Sequence, residues 1–312
     1  RIGEIGPRAI YRDHAPSHTR TIRRRERPAP ALTVTEALPS TVSSPVFVSH
    51  VGEADPNTDP ADLIGHYPHE YLAGTAGTGK SFTAKAYVES QPDGTVALTA
   101  TSGIAAVNLG EGTTIHSLLG FFDTASLREK YTSGHTHSRL RSLRRAGLRR
   151  ILLDETSMLS GEQLTLIART VNEVNTGRVL DAGEDSEDAS SASASDIPQI
   201  GLTLIGDFAQ LPPVPDKDPR TFKSLPMTFA FESPEWPSFA QHITRLTKIW
   251  RQESLPFVQA LHAVRQGRIV SACEFFTPDR FSDHTDDTFD GTTIFAKNDA
   301  VDRYNQLRVD AV

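Results

Sequence analysis

The chain has 312 residues, 38% of them hydrophobic, enough for a sizeable core and for about two domains at roughly 150 residues each. No apolar run approaches the roughly 18 residues that a membrane-spanning helix needs, and the Arg-rich start lacks the apolar stretch of a secretory signal, so a membrane partner is not expected. A formal charge of −7 excludes a globally basic nucleic-acid surface, and the single cysteine, Cys273, excludes an internal disulfide or a zinc cluster and fits a reducing compartment.

The first residue is Arg1 rather than Met, and a longer natural chain is expected. Residues 1–30 carry eight arginines against three acids, with prolines at 7, 16, 28 and 30, and residues 1–58 read as mostly tail or linker. Within it Arg23-Arg24-Arg25 fits either a nuclear-import or nucleic-acid patch or a plain solvated tail. Downstream, the apolar runs Tyr71–Ala73, Val96–Thr99, Ile151–Leu153 and Leu202–Ile205 predict buried strands, alternating with helical patterns. That alternation argues for a parallel α/β sheet. Residues 128–150 hold eight Lys/Arg against one acid, and Arg141, Arg144, Arg145 and Arg149 fit either a solvated helix face or a DNA-facing patch. His135 and His137 lie two apart without companions at metal spacing, so no zinc site is read there.

Ser160 followed by Gln163 makes a capping box, and the apolar spacing through Val174 predicts a helix over 161–175. Asp181 to Asp196, acidic and then Ser/Ala-rich, reads as a surface insertion. A last helix is predicted over 255–266, capped by Ser254, with Phe257, Leu261 and Val264 on one face.

The stretch Gly74-Thr75-Ala76-Gly77-Thr78-Gly79-Lys80-Ser81 fits the phosphate-binding pattern G-x-x-x-x-G-K-[ST], placed between a strand and a helix as that motif requires. Its glycines let backbone N–H groups turn toward phosphate oxygens, Lys80 reaches terminal phosphates, and Ser81 is suited to ligate Mg²⁺. Asp154 and Glu155 end an apolar strand at the edge where ligands of open α/β sheets collect. Asp154 suits the metal, commonly through water, and Glu155 suits activation of the attacking water. A third strand end, Gly206-Asp207-Phe208-Ala209-Gln210, offers Gln210 as a sensor of the γ-phosphate, while Pro212 and Pro213 read as a structural turn.

The order of these motifs resembles the PIF-one family of superfamily-one DNA helicases, relatives of the RecD-like motors. Thr99-Ala-Thr-Ser102-Gly-Ile-Ala-Ala with Gly112-Thr-Thr-Ile-His116-Ser resembles the family's single-strand-contact motifs, and Asp154-Glu155-Thr-Ser-Met its metal and base motif, with Thr156 where the family usually has Ile. Gly206–Val214 resembles the sensor motif, Leu246-Thr-Lys-Ile-Trp250-Arg251-Gln252 the opening of the second motor domain, and Ile294–Asn305 a following strand and helix.

The resemblance implies a P-loop NTPase built on a RecA-like parallel sheet, with a first motor domain over 59–240 and the start of a second over 241–312. It implies ATP and Mg²⁺ as cofactors, and single-stranded and forked duplex DNA as partners of a motor moving 5′ to 3′ in repair, recombination, replication or telomere maintenance. Thr99, Ser102 and His116 would contact the strand, although His116 also fits a satisfied core histidine. Arg251 would complete the site as an arginine finger from the second domain, where a surface ion pair is its plain alternative. Core packing is expected for Phe121 and Phe122, ahead of base stacking or a wedge. The late motifs of the second motor domain would lie beyond Val312, so the chain alone is expected to bind nucleotide without unwinding. An intracellular setting is implied: nucleus or mitochondrion in a eukaryote, cytoplasm in a bacterial or viral host. Many helicases of this broad class read adenine with a Gln upstream of the phosphate loop, but the first Gln here is Gln91, so base selectivity is not implied. The competing class is a nucleotide-binding switch or scaffold without motor activity. A small-molecule kinase would leave the Thr99–His116 and Leu246–Gln252 blocks unexplained.

Overall fold

A computed structural model describes residues 50–177, 198–218, 220–221, 223–252, 254–277, 293, 295 and 297–310. The expected tail before His50, the acidic insertion and Ile294 of the expected late strand lie outside these residues.

Strands that are apolar without alternation must be covered on both faces, as crossover helices cover a parallel sheet. In chain order the elements are β1 (His50–Glu53), β2 (His69–Gly74), α1 (Lys80–Ser90), β3 (Val96–Ala100), α2 (Gly103–Asn108), β4 (Thr113–Thr114), α3 (Ile115–Leu119), α4 (Thr124–Thr132) and α5 (His135–Arg145). There follow β5 (Arg150–Asp154), α6 (Gly161–Asn175), β6 (Gly201–Gly206), α7 (Trp236–Ala240), β7 (His242–Leu246) and α8 (Leu255–Arg265). The seven strands form one sheet in the order β1-β7-β2-β6-β5-β3-β4, and every pairing is parallel. All residues of β5 and β6 are buried. Ile151 and Leu153 of β5 join Leu202 and Leu204 of β6 in one core, while Leu152 and Ile205 join Leu72 and Ala84 in another. One sheet thus separates two cores. Among the described residues no helix is long and apolar enough to cross a membrane.

The described residues fall into two compact units, one ending at Arg268 and one starting at Ile269. The first holds the whole sheet. The second carries α9 (Ile269–Cys273) and α10 (Asn298–Asp310), with Phe295 against Tyr304 at 5.2 Å between ring centroids. Both sequence boundaries therefore fall inside the first unit. His50–Glu53 lies within the expected tail yet pairs with β7, and His242–Leu246 lies past the expected boundary at 240 yet inserts between β1 and β2. These strands escaped detection because their four- and five-residue runs, HVGE and HITRL, mix polar with apolar residues.

The capping box of α6 forms as its sequence predicts, with Ser160 Oγ accepting from Gln163 N–H and Gln163 Oε1 accepting from Ser160 N–H. For α8 the apolar face differs from expectation: Ala260 and Ala263 are buried, while Leu261 and Val264 are 38% and 55% exposed.

At the N-terminal edge of the sheet a buried charge cluster clamps three strands. Arg150 Nη1 donates to Glu70 Oε1 at 3.0 Å and to Thr203 Oγ1 at 2.9 Å, and Nη2 donates to the carbonyls of Gly65 and Tyr67. The guanidinium lies where a side chain at Gly201 would sit, so a Cβ there would come within 2.7 Å of it. Removing one member of a buried pair strands the other charge in low dielectric. Arg150→Ala is therefore expected to lower unfolding free energy by about 3 kcal/mol or more in a urea titration, and Arg150→Met with Glu70→Gln to recover much of it.

Candidate functional site

Because the strands are parallel, the C-terminal ends of β2, β3, β5 and β6 reach the same edge of the sheet. Gly74 ends β2, and the loop Thr75–Gly79 then turns into α1, with Gly77 and Gly79 at φ of +82° and +92°. That conformation favours glycine, and space demands it too, since a Cβ on Gly77 would lie 2.8 Å from Arg251 Cβ. Thr78 Oγ1 donates to the Thr75 carbonyl at 2.8 Å and so tightens the loop. Lys80, the first residue of α1, is buried, and its Nζ donates to the carbonyls of Gly74 and Thr75 at 2.9 and 3.1 Å. Burial pulls the Lys80 ammonium below its usual range, against the charges of Asp207, Asp154 and Glu155, which hold it up.

Next to this loop, Ser81 Oγ donates to Asp154 Oδ2 at 2.8 Å. The other carboxylate oxygen of Asp154 accepts the Glu155 backbone N–H at 2.8 Å. Burial raises the Asp154 carboxyl above the ordinary carboxylate range despite these two bonds, and burial together with the Asp154 charge raises Glu155. Glu155 is the one non-glycine among the described residues with positive φ, at +55°. This costs on the order of 1 kcal/mol. The neighbourhood enforces it: Thr101 Oγ1 and Met158 N–H both donate to the Glu155 carbonyl, and Thr156 Oγ1 donates to the Ile205 carbonyl. A Cβ on Gly206 would come within 2.5 Å of Thr156 Oγ1, so the turn that carries Glu155 and the end of β6 interlock.

Gln210 lies in the turn after β6, with its N–H donating to the Asp207 carbonyl at 2.9 Å and its Nε2 to Asp207 Oδ2 at 3.5 Å. Arg251 is exposed and lies over the phosphate loop, where Trp250 N–H donates to the Gly77 carbonyl at 2.8 Å. It belongs to the same compact unit as that loop, whereas the sequence reading placed it on the second domain.

The strand-contact set is altered. Thr99 is fully buried and its hydroxyl donates to the Leu152 carbonyl at 2.7 Å, so it is a core residue of β3 that reaches no external strand. Ser102 caps α2, accepting from Ala105 N–H while its hydroxyl hydrogen stays available. His116 is half-buried against Phe121 at 4.6 Å between ring centroids, and burial lowers its imidazole, leaving it neutral near pH 7. Phe121 is buried as expected, but Phe122 is 79% exposed with the Lys130 ammonium 5.8 Å from its ring centroid. Arg144 is buried and bonds the Val174 and Pro198 carbonyls, so the basic face of α5 is smaller than its composition suggested.

Sequence reasoning missed Asp207 and Arg265. Asp207 is 4% exposed and its Oδ2 lies 2.6 Å from Arg265 Nη1. The acid was visible beside Gln210, but nothing in local spacing ties it to an arginine 58 residues away.

A family model described as PIF1-like helicase matches residues 68–273. The chain belongs to the PIF1-like helicase family. It is 33% identical over 204 residues to the human ATP-dependent DNA helicase PIF1, covering 64% of this chain and 27% of that protein. To the Emericella nidulans ATP-dependent DNA helicase PIF1 it is 30% identical over 257 residues, covering 77% and 30%. The crystal structure of Pif1 helicase from Candida albicans superposes with a TM-score of 0.52 at 25% identity, covering 78% of this chain and 51% of that one. The chain therefore spans under a third of the length of those two curated relatives.

Raised carboxyls fix the sign of a stability effect. At Asp154 and Glu155 the folded protein binds protons more tightly than the unfolded chain, so their stabilising contribution is full at low pH and is lost as pH rises through the folded values. Asp154→Asn removes the buried charge and can keep both bonds, because the Ser81 hydroxyl can turn to accept. Its melting temperature at pH 7 is expected to rise by a few degrees, corresponding to about 1 kcal/mol, with the gain shrinking as the pH is lowered in scanning calorimetry.

Proposed function

We propose that the chain carries the ATP-hydrolysing motor domain of a DNA helicase that moves 5′ to 3′ along a single strand and opens forked duplex DNA. The single observation that carries this reading is the 2.8 Å bond between Ser81 and Asp154, which brings the phosphate loop and the acidic strand end into one site. Family membership and the names of the relatives, ATP-dependent DNA helicases, support the substrate class.

The loop amides of Thr75–Gly79 and the N-terminus of α1 face the phosphates, and Lys80 exchanges its two carbonyl bonds for phosphate oxygens. Ser81 and Asp154 supply two hard oxygen donors, a set that fits Mg²⁺, which keeps most of its shell as water and phosphate. Bound there, the ion would offset negative charge on the terminal phosphates. Glu155 takes a proton from the attacking water, and its raised carboxyl makes it a stronger base than a free glutamate. Gln210 orients on the γ-phosphate, and Arg251, mounted over the loop, offsets charge that develops on it. Ser102, His116 and Phe122 lie on the segment after β3 and are assigned to the strand: the first two by hydrogen bonds, since a neutral imidazole offers no ion pair, and Phe122 by stacking. The residues from Ile269 onward are assigned to a second motor domain.

Lys80→Ala is expected to abolish nucleotide affinity in a calorimetric titration of this chain, and unchanged affinity would refute the nucleotide site. In the full-length protein Glu155→Gln should keep ATP affinity while hydrolysis falls by about 10²-fold or more. Single-strand affinity, followed by fluorescence anisotropy, should be indifferent to sequence and weaken as salt rises. A salt-independent preference for one duplex sequence contradicts the motor.

A further inference from the structure

Asp207 leaves β6 at the edge of the sheet that bears the candidate site, and its carboxylate is 4% exposed. A buried carboxylate costs several kcal/mol unless it is paired and hydrogen-bonded. Arg265, the last residue of α8, supplies the charge, with Nη1 2.6 Å from Oδ2. The Ala209 N–H supplies a second bond, to Oδ1 at 3.2 Å. Gln210 Nε2 makes only a long contact of 3.5 Å with Oδ2, at the outer limit of a hydrogen bond. Its amide is thus oriented by Asp207 without being tied up by it.

We propose that Arg265 is a positioning residue for the phosphate sensor: by pairing with Asp207 it leaves the Gln210 amide available to distinguish a nucleoside triphosphate from a diphosphate. The proposal rests on reading Gly74–Ser81 as a nucleotide site. Without the guanidinium, the Asp207 oxygen would draw its compensation from the nearest donor, the Gln210 amide, and hold it away from ligand. The loss would fall on the triphosphate, because a diphosphate presents no γ-phosphate to this turn. Three features set the position of Arg265. Arg265 closes a helix whose buried face is Ala260 and Ala263, its positive charge complements the helix C-terminus, and Gly267 at φ +70° ends the helix just beyond.

The test titrates this chain with Mg²⁺-ADP and with a non-hydrolysable Mg²⁺-ATP analogue and takes the ratio of the two affinities. Arg265→Met, which keeps the aliphatic stem, should weaken the analogue about tenfold relative to ADP, the size of one hydrogen bond to a charged group. Gln210→Ala should do the same, and the two together should be no worse than either alone. Asp207→Asn combined with Arg265→Met, an uncharged pair, should restore most of the wild-type ratio, and it covers the case in which the single Arg265 variant fails to fold. An unchanged ratio in Arg265→Met overturns the proposal while leaving the nucleotide site intact. Additive losses overturn it too, because they would mean that Arg265 meets the phosphate itself. Failure of the unaltered chain to bind either nucleotide would instead bring down the reading on which the proposal rests.

Discussion

A hydroxyl and a carboxylate, Ser81 and Asp154, meet at 2.8 Å across 73 residues of sequence, and the rest of the site is arranged around that bond. It requires β2 and β5 to end at the same height on one side of the sheet. Parallel pairing of β2 with β6 and of β6 with β5 secures this, with Ala73 opposite Gly206 and Leu153 opposite Leu204. Below, the two cores fix strand register, because slipping one residue would swap Ile151 and Leu153 with Leu152 between opposite faces. Packing therefore sets the position of the polar edge.

The edge is expensive to maintain. Two carboxylates are held above their ordinary proton affinities by burial, a glutamate is bent into a left-handed turn, and the Lys80 ammonium is buried. Each feature opposes folding and each suits phosphate chemistry, which is the usual relation between stability and a prepared site. The compensation lies at the other end of the strands, where Arg150 satisfies Glu70, Thr203 and two carbonyls in one cluster. At the bottom of the sheet Arg150 and Glu70 are paired, and charge at the top is left partly open to ligand.

Much of this was legible in the sequence because two-sided burial writes itself as uninterrupted apolar runs. Ile151–Leu153 and Leu202–Ile205 announce central strands in this way, and the Gly and Lys spacing of Gly74–Ser81 announces the loop. The capping box at Ser160 set the start of α6 to the residue. What stayed hidden was non-local or short. β1 and β7 are too mixed in polarity to register, and the place of β1 in the sheet rests on its pairing with β7. Thr99 carried a motif-level expectation of strand contact, yet it lies inside β3 beside β5 and its hydroxyl is spent on the Leu152 carbonyl. Phe121 and Phe122 are identical in type, and only the three-dimensional chain path sends one to the core and the other to solvent. The Asp207–Arg265 pair joins a strand end to a helix end, which no periodicity records.

In the proposed function the phosphate loop and the acidic strand end act as one metal-dependent unit through Ser81 and Asp154. The direct measurement is a double-mutant cycle on ATP affinity with Ser81→Ala and Asp154→Ala, each titrated in excess Mg²⁺ and in chelator. Both single variants should lose most of the Mg²⁺-dependent gain in affinity, and the double variant should lose little more, giving a coupling of about 1 kcal/mol or larger. Losses that simply add, or Mg²⁺ dependence that survives in either single variant, would contradict the account.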